Sequence, residues 1–234
     1  MIKKNILWFS EISPEYQTEN VVLKRIQGDK KMEIKNIQHA FQTNELALED
    51  SKTNKSNTLV FTKDSVPEQL FRESYFADAV AVSKAIFKNT LFPEHIKDIH
   101  CPIVVFPEKQ EEIDHLLFII TSNPDSVISI KQFCCLFQDI CKKTKITLLV
   151  FDDGEGIQKP DEQVLVNYLK KWNKNLGVYK IQFWESEMLT KYLEFNERTL
   201  TVMNLDLLLA SKADSFPQEI FDRDDTTLFI GYNY

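Results

Sequence analysis

The chain has 234 residues, of which 43% are hydrophobic and 17 are phenylalanine, so it can bury one or two substantial cores. Its formal net charge of -7 argues against a nucleic acid partner, because phosphate binding depends on clustered lysine and arginine. Its apolar runs are far shorter than a membrane span. We therefore expect a soluble, cytoplasmic protein without a membrane or nucleic acid partner.

The first half of the chain is predicted to alternate strands with helices. Strands are expected at 5–10, 32–40, 58–63, 78–83 and 102–106, and helices at 14–27, 67–74 and 93–99, with a polar helix or loop at 45–55. A charged segment, PEKQEEID at 107–114, separates this half from the next.

The second half repeats the alternation. Strands are predicted at 115–121, 146–151, 178–184, 198–203 and 227–232, and helices at 125–142, 161–172 and 187–194. Strands that alternate with helices of this length require parallel pairing through crossover connections. We therefore expect doubly wound sheets that are covered by helices on both faces.

Two stretches of the sequence share one layout. Residues 59–83 and 179–204 each read as strand, acidic turn, helix-length segment and second strand, and each is followed by a closing strand, CPIVVFPE from Cys101 and TTLFIGYN from Thr226. Ser13-Pro14-Glu15 and Asn123-Pro124-Asp125 also begin a predicted helix with the same capping pattern. This repetition predicts the same α/β unit twice in tandem.

The cysteines and histidines do not form a metal motif. Cys101, Cys134, Cys135 and Cys141 show neither CxxC nor zinc spacing. Cys134 and Cys141 are seven residues apart on one predicted helix face, which favours small core residues over a redox or metal role. The histidines His95, His100 and His115 are spaced too loosely for a ligand set. We predict no metal site.

The motifs of common hydrolases are missing from the sequence. It contains no G-x-S-x-G elbow, no HExxH helix and no motif that places a cysteine beside a histidine base. We therefore predict that the protein is not an enzyme, and we assign no catalytic residue.

Two runs of sequence resemble a known family. FADAVAVSKAIF with CPIVVFPE behind it, and LLFIITSNPDSVISIKQFCCLF with KITLLVF behind it, are similar to the universal stress protein family in its bacterial tandem form. The resemblance covers 6–234 and is most specific over 76–151. It implies two adenine nucleotide alpha hydrolase-like domains, at 1–107 and 115–234 with a linker at 108–114, each a five-stranded, mostly parallel sheet with helices on both faces.

Members of this family that bind ATP share two features that this chain lacks. One is an Asp at the end of the opening strand, where this chain has Phe9-Ser10-Glu11 and Ile120-Thr121-Ser122. The other is a loop G-x2-G-x9-G-(S/T) after the fourth strand, whose glycines let backbone N–H groups approach phosphate. The matching positions are 83–88 and 204–208, and no glycine lies between Gly28 and Gly154 or between Gly177 and Gly231.

The resemblance therefore implies a non-catalytic stress-response module with a regulatory or protein-binding role, in which ATP binding is lost and no cofactor is held. The alternative is a stress protein that binds ATP or AMP at a non-standard site in its first domain. In that case the contacts would come from Glu11, Val82 and Lys84. If no anion is bound, we expect Lys84 and Lys88 to be solvated lysines on a loop.

The closing strands are the expected contact surface. Residues 102–106 and 227–234 carry no charged side chain, and an uncharged strand at the edge of a sheet must be paired or covered. Pairing through these strands would give an intrachain pseudo-dimer or a homodimer. A regulatory role also implies a protein partner, which the sequence does not identify.

Overall fold

The computed structural model describes residues 4–11, 20–28, 58–62, 66–91, 94–107, 112–152, 159–182, 191–192, 198–210, 223 and 226–232. The protein is an α/β protein whose chain divides into two compact units, Met1–Gln110 with Tyr234, and Glu111–Asn233. This division falls within the linker predicted at 108–114. No described helix is long and apolar enough to cross a membrane.

The first unit contains five described strands in the order β3-β2-β1-β4-β5. The strands are β1 Lys4–Glu11, β2 Asn20–Gly28, β3 Thr58–Thr62, β4 Ala79–Ser83 and β5 Ile103–Phe106. The helices are α1 Val66–Ser74 and the short α2 Lys84–Ile86, which is followed by a π-helical turn Phe87–Leu91 and a 3-10 turn Ile96–Asp98. The predicted strands at 5–10, 58–63, 78–83 and 102–106 and the helix at 67–74 are confirmed.

The helix predicted at 14–27 is wrong over its described part, which is strand β2. This strand pairs antiparallel with β1, from Lys4 opposite Gly28 to Glu11 opposite Val21, and β3 pairs antiparallel with β2. The β-branched pair Val21-Val22 suits a pleated strand better than a helix. The first sheet is therefore mixed, since only β1, β4 and β5 form parallel pairs.

The helix predicted at 93–99 is reduced to the 3-10 turn Ile96–Asp98. Ile99, just after this turn, already has extended backbone, and Pro102, immediately before β5, disfavours helical backbone in the residue that precedes it. The expected strand at 32–40, the segment at 45–55 and the cap at 13–15 lie outside the described residues.

The second unit has five described strands in the order β10-β9-β6-β7-β8. They are β6 His115–Ile120, β7 Lys145–Asp152, β8 Leu176–Gln182, β9 Thr199–Asn204 and β10 Thr227–Gly231. The helices are α3 Asp125–Leu136, α4 Gln138–Lys143, α5 Lys159–Lys170 and α6 Leu205–Ala210. All four pairings are parallel, as predicted.

The second unit differs from its prediction mainly in its helices. The helix expected at 125–142 is divided at Phe137, whose φ of -123° and ψ of 51° interrupt the helical backbone. Of the helix expected at 187–194, only Lys191 and Tyr192 are described, and both are helical. The strand order, counted along each unit as third, second, first, fourth and fifth, is the same in both units.

Aromatic rings join α3 to the sheet of the second unit. The ring of Phe133 lies 5.6 Å from that of Phe118 on β6 and 5.1 Å from that of Phe229 on β10, and Phe137 also contacts Phe229. Phe118, Phe133 and Phe229 are fully buried. Edge-to-face contacts of this kind add to the hydrophobic stabilisation of a core.

Gly231 allows α3 to approach β10 closely. A Cβ atom at this position would lie 2.0 Å from Ser129 Oγ and 2.6 Å from Ser129 Cα. The second distance involves helix backbone, which a side-chain rotation cannot relieve. Glycine is therefore required here by the packing of helix on strand.

We predict that Gly231→Ala destabilises the protein by about 1–3 kcal/mol or more, because α3 must move away from β10. Urea denaturation measures the loss. The matched control is Gly177→Ala, whose added Cβ would meet a Tyr179 ring atom at 3.3 Å and should cost much less. Equal stability of the two variants would contradict the packing argument.

Candidate functional site at the carboxyl ends of the central strands

The strand order places a candidate site in each unit where the first and fourth strands lie side by side. Ligands of open α/β sheets bind beyond the carboxyl ends of the strands at this switch point. In the first unit these strands are β1 and β4, and in the second they are β6 and β9.

In the first unit, the predicted residues Glu11, Val82 and Lys84 lie at or near the carboxyl ends of β1 and β4. Phe9 pairs with Val82, so Glu11 at the end of β1 and Lys84 just after β4 each lie two residues beyond that pair. Glu11 is described only in its backbone. Val82 is fully buried within its strand, where its side chain belongs to the core.

The loop expected after β4 is instead a helical turn. Ser83 ends the strand, and its hydroxyl oxygen accepts a hydrogen bond from the backbone N–H of Ile86 at 3.3 Å. The chain thus passes from strand to helix without the glycines that a phosphate loop needs.

The expected solvated role of Lys84 is wrong, because this residue is only 4% exposed. Its neighbour in the prediction, Lys88, is half-buried in the π-helical turn. Lys84 starts the helical turn between the core residues Val82 and Ile86, and this position draws its aliphatic stem inward. A buried ammonium at the switch point is the main polar feature of the first unit.

In the second unit, a side-chain hydrogen bond connects the ends of β6 and β9. The Asn123 side-chain amide donates from Nδ2 to Oδ2 of Asp206 over 2.9 Å. Asn123 follows β6 by three residues, and Asp206 lies in the first turn of α6. The bridge lies at the position that a ligand would occupy and adds a negative charge to it.

The first turn of α3 has no backbone donor left for an anion. Asn123 Oδ1 accepts from the N–H of Asp125 at 2.9 Å, which confirms the cap predicted at Asn123-Pro124-Asp125. The N–H groups of the next three residues donate to the carbonyl oxygens of Asn123 and Pro124. Ser126 Oγ donates to the Asn123 carbonyl and accepts from the N–H of Thr121. This end of the second unit is therefore unsuited to phosphate.

Asn204, the last residue of β9, is completely buried, and no hydrogen-bond partner for either polar side-chain atom lies among the described residues. It pairs with Gly231, so the two residues point to the face of the sheet on which Ser129 of α3 lies. Asn204 is also the first residue of the segment 204–208, where the resemblance to the stress protein family would place a phosphate loop. An unsatisfied amide at this place is a cost that packing alone does not explain.

A second polar cluster lies at the opposite, amino-terminal end of the second sheet. His115 Nδ1 is 2.9 Å from Thr199 Oγ1, and its Nε2 is 3.0 Å from both Thr147 Oγ1 and the Tyr192 hydroxyl. Thr147 and Tyr192 are themselves hydrogen-bonded at 2.6 Å. His115 is 2% exposed, so this network connects β6, β7, β9 and Tyr192 inside the protein.

Burial is the main cause that lowers the pKa of His115 to about 4, and the positive charge of Lys145 lowers it further against the opposing effect of Asp114. Burial also raises the pKa of Tyr192. Both groups are therefore neutral near pH 7, and the threonine hydroxyls between them are buried. The cluster is a satisfied structural network without an accessible nucleophile. Sequence analysis missed it because its members are far apart in the chain.

The thiols are also unsuited to catalysis. Cys134 and Cys141 are buried with their sulfur atoms 3.7 Å apart, which confirms their core role, and their hydrogen bond raises the pKa of Cys134. Burial raises the pKa of Cys101 to about 12. Cys135 is exposed. Among the described residues, no three His, Cys, Asp or Glu side chains form a group that could hold a metal ion.

Comparison with known proteins does not assign this chain to a family. No protein-family model matches the chain, and no curated protein is significantly similar to it. Functional inference therefore depends on the chain's own residues.

We predict that Asn204→Leu stabilises the protein by about 1–2 kcal/mol, because it removes two unsatisfied buried polar atoms at nearly constant volume. Chemical denaturation of purified protein measures this gain. The matched control is Asn173→Leu, since Asn173 Nδ2 donates to the Cys141 and Thr144 carbonyl oxygens and its loss should destabilise. Destabilisation by both substitutions would show that Asn204 has partners in solution.

We also predict that His115 makes stability fall in acid. The unfolded histidine takes up a proton near pH 6.5, whereas the folded one does so only near pH 4, so stability is lost as pH falls through this window. The loss attributable to His115 between pH 7 and pH 4 is about 3 kcal/mol. Denaturation at several pH values should show a smaller pH dependence in His115→Gln, whereas His95→Gln, at an exposed site, should match the wild type.

Proposed function

We propose that the protein is a non-catalytic, tandem module of the universal stress protein type, with a regulatory or protein-binding role in a stress response. In this proposal both units descend from one repeated domain, and neither retains ATP binding. The observation that carries it is the direct entry of β4 into α2 and of β9 into α6, without a glycine at either junction. A backbone cradle for phosphate has few other solutions.

The repeated strand order supports the tandem part of the proposal. The described strands of each unit follow the same order across the sheet, which is third, second, first, fourth and fifth along the chain. In the first unit β2 pairs antiparallel with both of its neighbours, whereas the described pairs of the second unit are parallel. The sequence runs on which the resemblance depends include β4, β5 and β6, which all form parallel pairs.

The loss of ATP binding is supported by chemistry at both switch points. In the second unit, Asp206 and the occupied N–H groups of α3 are unfavourable to phosphate. In the first unit, the Ser83 hydroxyl bonds its own helical turn. The absence of catalysis is supported by the neutral, buried state of His115 and by the buried thiols of Cys101 and Cys134.

The proposed contact surface remains the closing strands β5 and β10. Their residues are buried along the full length of both strands and carry no charge. Pairing through these strands, within one chain or between two copies, would leave the rest of the surface available for a protein partner.

One observation favours the alternative function, in which the first unit binds ATP or AMP. Lys84 is buried just after β4, whose parallel neighbour β1 ends at Glu11. A lysine partly shielded from water interacts more strongly with phosphate than a solvated one. In this alternative, Lys84 would contact the phosphates, and Glu11 and Val82 would lie near the base.

We predict no saturable heat of binding when ATP or AMP is titrated into the protein by isothermal calorimetry, up to about 1 mM ligand, a limit that corresponds to about -4 kcal/mol. Micromolar binding would overturn the proposed loss of nucleotide binding. If binding appears and is abolished by Lys84→Met but retained by Lys88→Met, the alternative site in the first unit is correct.

A further inference from the structure

Strand β8 forms one edge of the second sheet. It pairs with β7 along its whole length, from Ile146 opposite Leu176 to Asp152 opposite Gln182, and no described strand pairs with its other side. Val178, Tyr179 and Lys180 are exposed, whereas all six residues of β6 are buried. Because successive side chains point to opposite faces, three consecutive exposed residues show that both faces of the strand are partly open to solvent here, although the ring of Tyr179 also lies 6.0 Å from that of Tyr192.

This edge is weakly protected against pairing. Proteins often guard an edge strand with a lysine, whose charge opposes the approach of another strand. Here Lys180 Nζ lies 2.6 Å from Glu162 Oε2 on α5, so its charge is compensated within the unit. The neighbours of Lys180 are apolar or aromatic, with Tyr179 56% exposed and Val178 39% exposed.

We propose that β8 is a docking site for β8 of a second copy of this chain, through antiparallel pairing about a two-fold axis. If the two-fold axis is perpendicular to the sheet, equivalent faces of the two copies lie on the same side of the combined sheet. One residue of β8 then lies directly opposite the same residue of the second copy. With Lys180 at the axis, like charges would be directly opposed. With Val178 at the axis, only 176–180 would pair.

The register centred on Tyr179 avoids both problems. It pairs every residue of Leu176–Gln182, with Val178 opposite Lys180 and Gly177 opposite Ile181. Two tyrosine rings meet at the axis, and aromatic cross-strand pairs are among the favourable ones. The aliphatic stem of Lys180 can cover Val178 while its ammonium stays with Glu162.

This self-complementary register favours a second copy over another extended segment. An unrelated peptide could satisfy the same backbone groups, but nothing in β8 selects its side chains. Pairing of two seven-residue strands is a small interface, so we expect weak, concentration-dependent association.

Disulfide trapping tests the register directly. In a Cys135→Ser background, which removes the exposed thiol, Tyr179→Cys should form a disulfide-linked dimer with oxidised glutathione, because the two positions 179 face each other. The matched control is Tyr75→Cys in the same background, since Tyr75 is equally exposed at 57% but belongs to the first unit. This control should stay monomeric on a non-reducing gel.

Light scattering of the untrapped protein supplies the second measurement. The mean mass should rise from one chain towards two between about 5 μM and 500 μM, and Tyr179→Lys should weaken association at least about tenfold by placing like charges at the axis. If the protein stays monomeric throughout this range, the proposal is wrong. This holds even if the monomer binds an unrelated extended peptide. So does a dimer that resists Tyr179→Lys and is not trapped through position 179, as pairing through the closing strands would give.

Discussion

In the second unit, the helix α3 lies unusually close to the strand β10, near the carboxyl ends of the central strands. Gly231 has no side chain, so Ser129 can lie against the strand at a distance that any Cβ would prevent. The same approach places the first turns of α3 over Asn204, which is fully buried. It also accompanies the hydrogen bond from Asn123, before the helix, to Asp206 beyond β9. Close packing of helix on strand and a side-chain hydrogen bond between the ends of β6 and β9 therefore occur together at the switch point of the second unit.

The two ends of the second sheet differ in how well their buried polar side chains are hydrogen-bonded. At the amino-terminal end, His115 has a partner for each ring nitrogen, and the network holds three strands together. At the carboxyl end, Asn204 is equally buried, and within the part of the chain that the structure describes its side chain has no hydrogen-bond partner. Parallel α/β sheets place ligands at the second of these ends.

Much of the strand pattern could be predicted because buried parallel strands form continuous apolar runs, as HLLFII in β6 does. Strand β2 could not, since the NVVLKRIQG segment has apolar residues at spacings that fit a helix or a strand, and its pairing with β1 decides between them. The lack of glycine after β4 and β9 could be read from the sequence, because a phosphate-binding loop needs glycine for its own backbone conformation. The burial of Lys84 and the partners of His115 were not, because both depend on contacts between distant segments.

We propose that the chain contains two copies of one α/β scaffold, neither of which binds a nucleotide. The most direct measurement is the nucleotide content of purified protein, released by denaturation and quantified by chromatography and mass spectrometry. The account predicts far less than one adenine nucleotide for every ten chains, because neither strand-to-helix junction offers a backbone phosphate cradle. Co-purified ATP or AMP approaching one molecule per chain would contradict it and identify a retained site.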